Sequence, residues 1–234
     1  MRIAALYDIH GNLPAMEAAL QACRGEGVAA VVIGGDIAAG PLPSDTLDVL
    51  MALGPWAVPI QGPLDRAVVS AYDLLMAGKR QELASCDPIA AWAAGRITAR
   101  HRDFLAGLPQ EVVLPASELG DIRFCRQSAG DGADSQAAEE EALRSLLARH
   151  PERTLVCGGT HRAALRKEDG KTLVDPGSVG LPEDDAPGAY WAVFGPDIAL
   201  RRTDYNLRSA ARRIGRSGMP DARAFAQTFV LKQA

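Results

Sequence analysis

The chain opens with a short strand-like segment, residues 2–7, apolar from Ile3 to Tyr7, that stops at Asp8. An unbroken apolar run of that length reads as a strand buried on both faces. From Leu13 the pattern changes to a helical period. Leu13, Met16, Ala19, Leu20 and Cys23 fall on one face, Pro14 sits early where helices tolerate it, and Gly25 and Gly27 end the segment. A β-branched run from Val28 to Ile33 then leads into Gly34-Gly35-Asp36 and reads as a second buried strand. Residues 44–53 return to helical spacing, and Trp56 to Ile60 reads as a third strand. Strand–helix–strand–helix–strand is the pattern of an α/β layered fold.

Residues 66–108 are rich in Ala, Leu and Arg and poor in strand formers, which predicts a helical insertion over one edge. Strand signals resume at 111–114 and 122–125. The small, polar stretch 128–136 reads as a loop. Residues 137–149 predict a helix with acids first and arginines last, matching the helix dipole. Further strands are expected at 154–157, 172–174, 190–194 and 198–202, with turns at Gly170, Gly177, Gly188 and Gly195-Pro196. Residues 205–234 read as a helical extension with a break near Gly218-Met219-Pro220. The organisation is therefore one domain over 1–204 plus this extension, whose helices pack on the domain or on a second subunit. A homodimer is compatible with that reading.

Composition adds mostly exclusions. The 234 residues are 47% hydrophobic and 23% charged, ordinary for a globular protein. A net charge of −4 provides no overall basic field for nucleic acid or anionic lipid, but a small phosphorylated ligand could still enter a local positive pocket. Cysteines at 23, 86, 125 and 157 form no C-x-x-C pair, so neither a zinc knuckle nor a thioredoxin-like motif is present, and Cys125 and Cys157, beside apolar residues, read as buried, reduced thiols. The first residues are interrupted too soon by Asp8 for a signal peptide, and no apolar run approaches the roughly 18 residues that cross a bilayer. A cytoplasmic location is expected.

The candidate chemistry lies at the ends of predicted strands. In Asp8-Ile9-His10-Gly11-Asn12, alternate residues point the same way, so Asp8 and His10 converge. Gly34-Gly35-Asp36 leaves room for close backbone approach beside a carboxylate, and Gly158-Gly159-Thr160-His161 follows the strand at 154–157. Each of these residues taken singly is as well explained as a turn former. Three strand ends each delivering Asp or His is the informative feature. Such a donor set suits a divalent manganese, zinc or iron ion.

In order and spacing, D-x-H-G-N, G-G-D and G-x-T-H resemble the calcineurin-like metallophosphoesterases. Val174-Asp175-Pro176-Gly177-Ser178-Val179-Gly180 is similar to the N-P-G-S-V-G block of the small bacterial phosphodiesterase branch. The likeness spans roughly residues 1–204. It implies a four-layer α/β/β/α sandwich of two mixed sheets flanked by helices, with a two-metal centre at the strand ends. By that resemblance Asp8, His10, Asp36 and His161 are the catalytic ligands of the first metal.

The second metal fares differently. Pro63 stands where the family has an Asn ligand, Arg126 stands near a His ligand, and Gly159 replaces the first His of G-H-T-H. Neither proline's side chain nor glycine can ligate, and arginine carries the wrong charge. All three losses strike one site, whereas random decay would strike both. The resemblance thus implies a phosphoesterase of reduced activity that keeps one divalent ion, acts on a small phosphorylated substrate and lacks the second ion. Arg126 either binds a phosphate oxygen in place of that ion or forms a salt bridge to Asp36 or Asp65. Asn12 is a second candidate substrate contact. The other reading is a phosphoesterase-like binding or scaffold protein without turnover.

Overall fold

A computed structural model describes residues 1–126, 145 and 147–232. Two five-stranded mixed sheets pack face to face. The first has the order β10 (Ile198–Thr203), β9 (Ala189–Phe194), β1 (Ile3–Leu6), β2 (Ala30–Ile33) and β3 (Ala57–Pro59). Its β1, β2 and β3 run parallel, while β9 and β10 are antiparallel additions at one side. The second sheet has the order β4 (Glu111–Ala116), β5 (Gly120–Cys125), β6 (Thr154–Cys157), β8 (Lys171–Pro176) and β7 (Ala163–Glu168). Here β5, β6 and β8 are parallel, and antiparallel β4 and β7 form the edges.

The apolar runs serve both faces of the first sheet. Ile3, Ala5 and Tyr7 point into the space between sheets, where they meet Ile122, Phe124, Val156 and Val174. Ala4 and Leu6 point the other way, against the buried face of α1 (Leu13–Gly25) and residues of α2 (Pro43–Ala52). Continuous apolar strands are therefore required, and the sequence has them. The outer face of the second sheet carries Cys125, Leu155 and Cys157 against Leu147.

Between β3 and β4 lie four helices: α3 (Pro63–Met76), α4 (Arg80–Leu83), α5 (Pro88–Ala94) and α6 (Ala99–Ala106). The C-terminal segment forms α7 (Leu207–Gly215), α8 (Ala222–Phe225) and a π-helical turn at Ala226–Leu231. Among the described residues no helix is long and apolar enough to cross a membrane. The loop expected at 128–136 and most of the helix expected at 137–149 lie outside the described residues.

One strand escaped the sequence pattern. Ala163–Glu168 was not expected as a strand, yet it pairs with β8 from Ala163 opposite Pro176 to Glu168 opposite Lys171. Ala, Leu, Arg, Lys and Glu favour helices, and an edge strand shows little burial periodicity, so neither propensity nor pattern reveals it.

Tyr7 fastens the two sheets where β1 ends. Its ring is fully buried, and its hydroxyl lies 3.2 Å from the Cys125 carbonyl and 3.1 Å from that of Val156, both in the opposite sheet. Burial raises its pKa well above 10.0, so the hydroxyl keeps the proton it donates. The ring fits because Gly34 and Gly158 flank it. A Cβ on Gly34 would come within 2.2 Å of the ring, and one on Gly158 within 2.3 Å. Those glycines of the two strand-end motifs exist to let β2 and β6 close around this tyrosine.

Candidate metal centre

The parallel strands of both sheets end on the same side, and the predicted site residues leave from those ends. Asp8 and His10 follow β1, Asp36 follows β2, Pro63 follows β3, Arg126 follows β5, and Gly159 and His161 follow β6. Ligands in open α/β sheets bind at such carboxyl ends.

The backbone here is strained in a consistent way. Asp8 (φ 55°), His10 (φ 46°), Asp36 (φ 48°) and His161 (φ 57°) are all left-handed, which for non-glycine residues costs on the order of 1–3 kcal/mol each. They make up half of the eight described non-glycine residues with positive φ, so the strain gathers at the candidate ligands. Surrounding hydrogen bonds impose it. The His10 amide donates to the Asp36 carbonyl at 2.8 Å, and the Gly180 amide donates to the Asp8 carbonyl at 2.9 Å. Ser178 Oγ donates to that same Asp8 carbonyl at 2.8 Å and accepts from the Leu181 amide at 2.7 Å.

Asp8, His10 and His161 each offer a donor atom, all within 4.8 Å of one another. Asp8 Oδ1 lies 3.2 Å from His161 Nε2 and 3.6 Å from His10 Nε2. Both imidazoles are oriented from behind. His10 Nδ1 faces the Ala39 carbonyl at 3.3 Å, and His161 Nδ1 faces the Leu181 carbonyl at 3.0 Å. A carbonyl only accepts, so each Nδ1 carries the hydrogen and each Nε2 turns toward Asp8, the arrangement that prepares histidine as a metal ligand. His10 Nε2 and Asp8 Oδ2 are buried with no hydrogen-bond partner in the protein. Buried polar atoms are rarely left so, and a divalent ion would satisfy them.

Asp36 lies outside this three-residue group. Its Oδ1 accepts from the Leu64 amide at 2.8 Å, and its Oδ2 meets Arg126 Nη2 at 2.5 Å. Arg126 Nη1 lies 2.5 Å from Asp8 Oδ1, so one guanidinium spans both carboxylates. The arginine side chain is 8% exposed. Asp65 is not its partner. That carboxylate accepts from the Ile37 amide at 2.8 Å and the Gly62 amide at 2.9 Å, tying the β2 loop to the start of α3. Burial, with the nearby charge of Asp36, pushes Asp65 up to about 6 despite those donors.

The remaining predicted positions are accounted for as follows. Asn12 is buried and caps α1 through the Ala15 amide while its Nδ2 donates to the Gly180 carbonyl at 3.1 Å. Pro63 is the first residue of α3. Nothing lies within 4 Å of where a Cβ on Gly159 would stand. Sequence reasoning gave no role to Asp175, which accepts from Thr160 Oγ1 at 2.7 Å and from the Gly177 amide at 2.9 Å and so braces the His161 loop. The signal was its place in the D-P-G-S block. The carbonyls of Ala39 and Leu181 have no sequence signal.

A model of the calcineurin-like phosphoesterase superfamily domain matches residues 1–194. The chain belongs to this superfamily. Solved structures agree on the fold. A metallophosphoesterase from Sphaerobacter thermophilus has a TM-score of 0.69 at 21% identity, with 97% of each chain covered. A hypothetical protein from Pyrococcus horikoshii OT3 has a TM-score of 0.76 at 18% identity, covering 100% of this chain and 99% of that one. The E. coli phosphoesterase Yfce has a TM-score of 0.54 at 17% identity, covering 87% and 100%. Comparison with curated protein sequences gave no match. Membership in this phosphoesterase superfamily, together with the Asp8–His10–His161 group, supports a metal-dependent phosphoesterase.

Protonation of the triad sets how metal uptake responds to pH. Burial would raise Asp8, but the adjoining imidazoles of His10 and His161 and the charge of Arg126 outweigh it and hold the carboxyl far below 3.8. Burial would lower His161, but its hydrogen bond to Asp8 and that group's charge raise it above 6.5. In the metal-free protein this contact therefore stabilises fully below about pH 6.5 and is lost as pH rises through the folded value of His161. Metal binding has the opposite sign, because the ion must displace that proton. Apparent divalent-metal affinity should fall on acidification, starting above pH 6.5 and approaching about tenfold per pH unit for the one proton released. Calorimetric manganese titrations across neutral pH read this directly, and a pH-independent affinity would contradict it.

Proposed function

We propose that this calcineurin-like phosphoesterase hydrolyses a small phosphorylated substrate with one divalent ion, and that the Arg126 guanidinium stands in for the second. The observation that carries the reading is the arginine's double contact, 2.5 Å to Asp8 and 2.5 Å to Asp36. Asp8, His10 and His161 would hold the ion, with Asp36 as a fourth donor once Arg126 Nη2 yields its oxygen. When bound, a divalent ion supplies an electrophile for a phosphoryl oxygen and acidifies water.

Charge supports the arrangement. Two carboxylates against one guanidinium leave the site one negative charge in excess, which invites a cation. A divalent ion then leaves one positive charge in excess, which suits a phosphodiester monoanion. Arg126 uses two of its five N–H donors on the carboxylates, so the rest can face phosphate oxygens. A guanidinium cannot acidify water, so the site should work more slowly than a two-metal centre. Manganese, zinc and iron all suit the Asp–His donor set, and a cytoplasmic enzyme would meet each.

Hydrolysis of bis(p-nitrophenyl) phosphate by the full chain tests this. The expected result is a manganese-dependent rate that chelation abolishes. Metal uptake without any hydrolysis of diester or monoester would instead favour a binding protein. Arg126 already places a counter-charge against one oxygen of each carboxylate without an ion, and that observation favours the second reading.

A further inference from the structure

A cationic cleft that shares no lining residue with the metal centre lies between α7 and the segment that follows it. A cleft of about 450 Å³ is lined by Arg208, Arg212, Arg216 and Arg223, with Ala211 and Leu231 among its apolar residues. That volume is in the range of small-molecule sites. Among the described residues no acidic side chain lines it. Arg208, Arg212 and Arg216 are spaced four residues apart, so they share one face of the helix and its end.

Ordinary structural roles do not account for this cluster. Arg213, on another face of α7, pairs with Asp45 at 3.1 Å and with Glu17 at 3.8 Å. The four arginines of the cleft form no ion pair among the described residues. The helix dipole favours cations in the last turn, which suits Arg212, but it disfavours Arg208 in the first. Like charges four apart on a helix repel. A chain of net charge −4 thus gathers around one cleft four arginines that have no ion pair among the described residues.

We propose that this cleft binds a small polyanion with two or more adjacent phosphate groups. Guanidinium groups bond phosphate oxygens in pairs, and several arginines match a chain of phosphates better than a single one. The apolar lining would receive a base or other apolar moiety carried by the phosphates. A nucleoside polyphosphate and inorganic polyphosphate share the required chemistry. The cleft is joined to the support of the metal centre. Ile214 and Val230 share an apolar cluster with Leu181, whose carbonyl holds His161.

The test is calorimetric titration of the metal-free full chain with tripolyphosphate and with ATP. Arg212→Glu/Arg216→Glu should bind at least about tenfold more weakly than wild type. Tighter binding of ATP assigns the apolar lining to a base; equal binding assigns recognition to the phosphates alone. Should the charge reversal impair folding, Arg208→Gln/Arg223→Gln gives the same readout with a smaller loss. No binding by wild type overturns the proposal. So does binding that Asp8→Ala moves and the arginine substitutions do not.

Discussion

Arg126→Ala should destabilise the chelated protein by about 3–5 kcal/mol, the usual cost of removing one partner from a buried ion pair. The arginine side chain is 8% exposed and the two carboxylates it spans are 0% and 5% exposed, so little solvent screening softens the loss. Asp8 and Asp36 would be left facing each other with no cation between them. The same manganese concentration should stabilise Arg126→Ala more than wild type, because no guanidinium then competes with the ion for the two carboxylates; an ion at 100 times its Kd contributes about 2.7 kcal/mol by mass action. Arg126→Lys should fall between the two, because an ammonium is a point charge and cannot span both carboxylates. Chelated denaturant unfolding curves measure all three proteins. Equal stability of wild type and Arg126→Ala would mean that the guanidinium does not neutralise this site.

Asp8→Ala should reduce metal-dependent phosphodiester hydrolysis by at least about 10²–10³-fold, the range seen when a single electrostatic contributor to a transition state is removed. The reasoning is geometric. Asp8 Oδ1 is the atom on which His10, His161 and Arg126 converge, at 3.6, 3.2 and 2.5 Å. Removing it takes a ligand from the ion and a partner from the arginine together. The fold should survive, since Arg126 keeps Asp36 and the β1 backbone bonds do not involve the Asp8 side chain. A variant that remains folded and hydrolyses substrate at the wild-type rate would remove Asp8 from the chemistry.

Much of the fold can be read in the sequence because β1 and β2 are buried on both faces and must be apolar throughout. Their ends are marked by Asp8 and by Gly34-Gly35-Asp36, where the chain leaves the core. The β7 strand is hidden for the opposite reason. Its residues favour helix, and only pairing with β8 holds them extended. The site divides in the same way. Residue types at strand ends are visible, so Asp8, His10, Asp36 and His161 could be named without coordinates. What orients them could not, because the Ala39 and Leu181 carbonyls are backbone atoms that any residue would supply. Arg126 could be flagged as a departure from the family pattern. Its reach to Asp8 as well as Asp36 depends on β5 of one sheet ending beside β1 of the other, a distance that no sequence pattern encodes.

The stoichiometry of metal binding tests the central claim most directly. The 234-residue chain stripped of metal and titrated with manganese should take up one ion per chain at micromolar concentration, and Asp8→Ala should take up none. Two ions bound with similar affinity would show that Arg126 vacates its place for a second cation. No uptake at all would show that the Asp8–His10–His161 group is not a metal site.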